Sequence, residues 1–108
     1  MRYLSIYRSL VHEEGAMPDP EHMQAMGALI EEMMAKGKLQ DTGPLAPRSE
    51  CLRITVKDGQ LTVTPETERA SGYAFLTADS KEELVELTKR FLRTAGDGVC
   101  EIRAIPEF

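Results

Sequence analysis

With 108 residues, 42% of them hydrophobic and 29% charged, the chain has the size and composition of one ordinary globular domain. Its net charge of −5, with Arg and Lys scattered singly, argues against a nucleic-acid partner, which takes clustered cations. No apolar run reaches membrane-spanning length and residues 1–7 do not read as a signal peptide, so no membrane is implied and the cytoplasm is the default location. Cys51 and Cys100 lack the paired spacing of a zinc site and read as buried free thiols in strands, so neither metal nor cofactor is implied.

Residues 1–8 alternate, with Tyr3, Ser5 and Tyr7 on one side and Leu4, Ile6 and Arg8 on the other, which is strand periodicity. Residues 11–19 are polar, carry Gly15 and Pro18, and read as a loop. Asp19-Pro20-Glu21 is a helix start: an Asp cap, Pro at the first helical position, and an acid near the positive end of the dipole. Met23, Met26, Ile30 and Met33 then form one apolar stripe, and Gly37 supplies the stop. Gly43-Pro44-Leu45-Ala46-Pro47 reads as a rigid connection to the next strand.

Leu52, Ile54 and Val56 alternate with Arg53, Thr55 and Lys57. Asp58-Gly59 marks a tight hairpin turn, Leu61 and Val63 continue the pattern, and Pro65 ends it. Residues 72–76 are more continuously apolar, which suits the middle of a sheet. Ser80 and Glu83 have capping-box spacing, and Leu84, Leu87, Thr88, Phe91 and Leu92 form the buried face of the helix that follows. Gly96 and Gly98 break that helix, and residues 99–105 give a last strand. The order is β-α-β-β-β-α-β, an α+β fold in a single domain. Two amphipathic helices have one sheet face to bury against, which leaves Leu, Ile, Tyr and Phe side chains on the other. A homodimer closed across that open face is the expected solution.

His22 is the first candidate for chemistry, since the helix dipole in the first turn favours a neutral imidazole suited to general acid-base work. The bland alternative is a partly exposed helix histidine. His12, Glu13 and Glu14 read as a solvated acidic loop, because adjacent side chains seldom converge on one ion. Glu31-Glu32 and the Glu82, Glu83, Glu86 cluster read as helix surface and capping charges. No phosphate loop, nucleophile elbow or His-Glu-x-x-His pattern is present. A ligand site is expected between the first helix and the sheet, near Gly43-Pro44. Met23, Met26 and Ile30 would form its apolar wall, Tyr3 or Tyr73 would add a phenol, and Arg48 or Arg53 would hold a carboxylate. The competing reading makes the methionines core filler and leaves the arginines in solvent.

Several stretches taken together resemble the YCII-related proteins, and most of all the branch named for an Asp-Gly-Pro-Phe motif. They are residues 1–7, Ala35-Lys36-Gly37-Lys38-Leu39, residues 43–47, residues 52–59, Glu66-Thr67-Glu68-Arg69, Ser71-Gly72-Tyr73 and residues 100–105. The resemblance implies a ferredoxin-like protomer that pairs into a dimeric α/β barrel, with a pocket between sheet and helices. Some members of that family are thought to use a His and an Asp, and one is a dehydrochlorinase; His22 falls near the family's histidine. The naming motif itself is missing here, because Val63-Thr64-Pro65 runs straight into Glu66. Where the family's aspartate is expected the chain reads Phe91-Leu92-Arg93-Thr94, and Asp97 sits in a glycine turn. Three functions follow as alternatives: a small-molecule-binding or regulatory module, a cofactor-independent lyase or isomerase using His22, and an accessory domain that pairs with a larger protein.

Overall fold

A computed structural model describes residues 1–11, 19–65 and 69–107, apart from the side chain of Arg48. His12, Glu13, Glu14, Glu66, Thr67 and Glu68 lie outside the described residues. The chain is α+β, with eight helices and strands among the described residues. In order they are β1 (Arg2–Ser9), α1 (Pro20–Ala35), β2 (Leu39–Pro44), β3 (Leu52–Lys57), β4 (Gln60–Pro65), β5 (Gly72–Thr77), α2 (Lys81–Ala95) and β6 (Gly98–Ile105). A short 3-10 turn, Arg48–Glu50, precedes β3. Cys51 stands just ahead of β3 rather than within it, and both cysteines are free and half-buried.

The element order differs from the sequence expectation by one strand. Gly43 and Pro44 were expected to belong to a rigid connection, and no strand was expected over residues 39–42, yet Gly43 and Pro44 close β2, which pairs antiparallel with β5. Pro44 is tolerated because β2 is an edge strand, where a missing amide leaves no ladder bond broken on the solvent side. The main sheet has the order β2-β5-β1-β6 with every pairing antiparallel, so β5 and β1 occupy its middle. The two strands expected next in the sheet, β3 and β4, pair with each other as a separate two-stranded hairpin. That hairpin is inserted between β2 and β5.

Local chemistry places the helices. The Asp19 carboxylate accepts the His22 amide at 2.8 Å to cap α1, and Gly37 leaves it in the left-handed region at φ 72°. The Ser80 hydroxyl accepts the Glu83 amide at 3.1 Å to cap α2. The reciprocal bond of that cap falls one residue earlier than expected: the Glu83 carboxylate accepts the Asp79 amide, at 3.1 Å. Both helices lie on one face of the main sheet. Leu29, Met33, Leu39, Leu76, Ala78 and Leu84 form the buried core, with Tyr3, Ile30, Ala74, Leu87, Phe91 and Ile102 packed around it.

Met23 departs from the expected stripe and is 52% exposed. The buried arc of α1 is centred on Leu29 and Met33, and Met23 lies about a quarter turn round the helix from it. The sheet face away from the helices carries Leu4 and Ile6 of β1 opposite Phe75 and Tyr73 of β5, all partly exposed. Arg8 and Glu101 form an ion pair at 3.0 Å between β1 and β6.

Candidate functional site: an apolar cavity under the helices

The sheet, α1 and α2 line a partly open cavity of about 390 Å³. Met26, Leu29, Ile30 and Met33 of α1 form one wall, and Leu87, Thr88, Phe91 and Ala95 of α2 form another. The floor is Ser5 and Tyr7 of β1, Leu39 of β2, Ala74 and Leu76 of β5, and Cys100 of β6. Thr42, Gly43, Pro44, Ser71 and Gly72 border it where β2 and β5 end. The size and apolar character are those of a small-molecule site.

Its polar groups are few and mostly engaged. Thr88 donates its hydroxyl to the Leu84 carbonyl at 2.8 Å, and Thr42 donates to the Tyr73 carbonyl at 2.8 Å. Burial pushes the Cys100 thiol above its ordinary range, and a hydrogen bond with Ser5 opposes that push. The phenol oxygen of Tyr7 is enclosed without a hydrogen-bond partner among the described residues, its ring edge-on to Phe91 with centroids 5.0 Å apart. Among the described residues no Asp, Glu, Lys or Arg lines the cavity. His22, on the first turn of α1, is the one imidazole among the described lining residues.

The structure brings some of the sequence-predicted residues together and separates others. His22, Met26 and Ile30 line the cavity, which sits where it was expected, beside Gly43 and Pro44. Tyr3 packs against the core cluster but is not part of the lining. Met23 is also outside the lining. Tyr73 borders the cavity, but strand alternation with the inward-facing Ala74 sends its ring to the open face. There it meets Phe75 edge-on at 6.0 Å, and its hydroxyl donates to Asp41 at 3.1 Å. That bond to a carboxylate raises the Tyr73 pKa, with burial adding to the shift.

Arg53 lies on the polar side of the β3–β4 hairpin and does not reach the cavity lining; the side chain of Arg48 lies outside the described residues. The expected arginine clamp for a carboxylate is therefore not supplied by Arg53. The reason is topological, because β3 left the main sheet and took Arg53 with it. Sequence reasoning missed Tyr7, Ser5, Phe91 and Cys100 as cavity residues. The signal for Ser5 and Tyr7 was the two-residue alternation of β1, which put them on one side without saying that the helices cover that side. Among the described residues no three His, Cys, Asp or Glu converge as metal ligands, and no helix is long and apolar enough to cross a membrane. No protein-family model and no curated protein matches the sequence.

Proposed function

We propose that this chain is a cytoplasmic small-molecule-binding module that works as a homodimer of ferredoxin-like protomers, in the manner of the YCII-related proteins it resembles. The observation that carries the binding reading is the 390 Å³ cavity, walled by apolar side chains and without a charged group among its described lining residues. Such a wall favours a neutral, largely apolar ligand over a carboxylate, since a buried anion without a cationic partner bears its whole desolvation penalty. The strand order β2-β5-β1-β6, with the hairpin set aside, is the order of a ferredoxin-like sheet and supports the protomer fold. The half-exposed Leu4, Ile6 and Phe75 support a partner across the open face.

A second reading, a cofactor-independent lyase or isomerase, is favoured by one observation: the imidazole of His22 borders the cavity. In it His22 takes a proton from a bound substrate and returns it.

A ligand-detected NMR screen of neutral apolar fragments against matched carboxylates tests the binding reading. Neutral fragments are expected to bind, and Met26→Trp, which fills the cavity, is expected to abolish their binding. Preferential capture of carboxylates, or neutral binding that survives Met26→Trp, would overturn it. His22→Gln separates the two readings, because it spares binding to a module and abolishes turnover by an enzyme.

A further inference from the structure

The β3–β4 hairpin leaves the body with an uncovered face. Leu52, Ile54 and Val56 stand directly opposite Pro65, Val63 and Leu61, which places all six on one side. Leu52, Ile54, Val56, Leu61 and Val63 are 67, 65, 66, 75 and 60% exposed. The opposite side is polar, with Arg53, Thr55 and Lys57 facing Thr64, Thr62 and Gln60. The two strands make their substantial contacts with each other rather than with any other helix or strand among the described residues. A lone two-stranded hairpin is marginally stable in water, and one with a contiguous apolar face calls for cover.

We propose that this hairpin is a dimerisation arm whose apolar face is covered by a second copy of the chain. The inference rests on the homodimer reading above and adds a contact surface to it. The first argument is area. The five side chains present roughly 600 Å² per copy, so a reciprocal contact that covers both arms buries about 1,200 Å², the lower bound of a stable interface. Leu4, Ile6 and Phe75 on the open sheet face add to that. The second argument is charge. The chain carries −5 overall, yet the arm bears Arg53 and Lys57 against the single carboxylate of Asp58. Both cations stand on the polar side of the arm, away from the covered face, so they do not oppose the contact, whereas an anionic bilayer would repel the acidic body. The third is shape. The protein is a slab of 45 × 39 × 19 Å, and two flat bodies stacked through a twofold axis bring broad faces together.

Sedimentation velocity on the full chain tests this, with Ile54→Thr/Leu61→Thr as the arm variant and Phe75→Lys as the sheet-face variant. Threonine keeps strand propensity while removing the apolar surface. The wild type is expected to be a dimer at micromolar concentration. The arm variant is expected to dissociate at least about tenfold more readily, with an unchanged circular dichroism spectrum. Amide protection of β3 and β4 in the wild type is expected to rise with protein concentration. An arm variant that dimerises like the wild type, or protection independent of concentration, overturns the arm. If Phe75→Lys alone breaks the dimer, the sheet-face contact stands without the arm. A monomeric wild type overturns both, including one whose hairpin is captured by a vesicle or a different protein. None of these outcomes bears on the cavity.

Discussion

Lys38 donates from its Nζ to the Glu83 carboxylate across 2.8 Å, joining the turn after α1 to the first turn of α2. The same Glu83 oxygen accepts the Asp79 amide, and the Lys38 carbonyl accepts the Thr77 amide at 2.9 Å. Four elements, α1, β2, β5 and α2, are thereby tied at one corner. The bond to Lys38 holds the Glu83 carboxyl below its usual range, and the bond to Glu83 raises Lys38.

This pair predicts a pH dependence at both ends. A depressed carboxylate stabilises the fold above its unfolded pKa near 4.5, and that contribution is lost as pH falls through the lower folded value. A raised Lys38 contributes below 10.5, and its share is lost as pH climbs through the higher folded value. Glu83→Gln is therefore expected to be less stable than wild type at neutral pH and to converge with it in acid. Urea unfolding midpoints across the acid range check this, and parallel curves would refute it.

Gly98→Ala is expected to destabilise the fold by about 1–3 kcal/mol, because overpacking forces backbone and side-chain shifts. A Cβ there would collide with the Tyr7 ring and would stand 2.7 Å from the Arg8 carbonyl oxygen. Tyr7→Phe has the opposite sign. It removes an enclosed hydroxyl that has no partner among the described residues, and is expected to stabilise the free protein by about 1 kcal/mol. Thermal unfolding of the two variants measures both effects.

Cys100 is expected to alkylate slowly, since burial favours its protonated, unreactive form. Ser5→Ala should slow it further, because the Ser5 hydrogen bond is what holds the thiol's pKa down. Any ligand that fills the cavity should protect Cys100 as well, which lines the floor. Mass spectrometry of timed iodoacetamide labelling reads all three.

Gly59→Val places a β-branched residue at φ 78°, and is expected to cost about 1–2 kcal/mol locally. Because β3 and β4 touch little else, that loss should appear as faster amide exchange within the hairpin. The global unfolding midpoint of the monomeric body should stay put. A matching fall in global stability would show that the hairpin packs on the body after all.

Much of the fold was legible because local chemistry specified it. Asp58 and Gly59 both adopt positive φ, at 52° and 78°, as a two-residue hairpin turn requires, and that dipeptide announces itself in any sequence. Asp19 and Ser80 cap their helices through bonds to residues three positions on, so those starts were visible too. The continuous apolar run of β5 foretold a central strand, and it lies between β2 and β1. For the site, Met26 and Ile30 were named from helix spacing and His22 from its place in the first helical turn, and all three line the cavity.

The remainder required long-range pairing. Nothing local in Leu39-Gln40-Asp41-Thr42-Gly43-Pro44 signals a strand; the ladder to β5, some thirty residues on, makes it one. Strand alternation set Ser5 and Tyr7 apart from Leu4 and Ile6, but only helix docking decided which set faces the cavity. Turns, caps and amphipathic faces were set locally, since each depends on neighbours within a few residues. Long-range pairing decided which strands share the main sheet and which stand apart as a hairpin, carrying Arg53 away from the cavity, whose described lining residues bear no fixed charge. Those outcomes depend on competition among distant edges for hydrogen-bond partners, which no window of sequence contains.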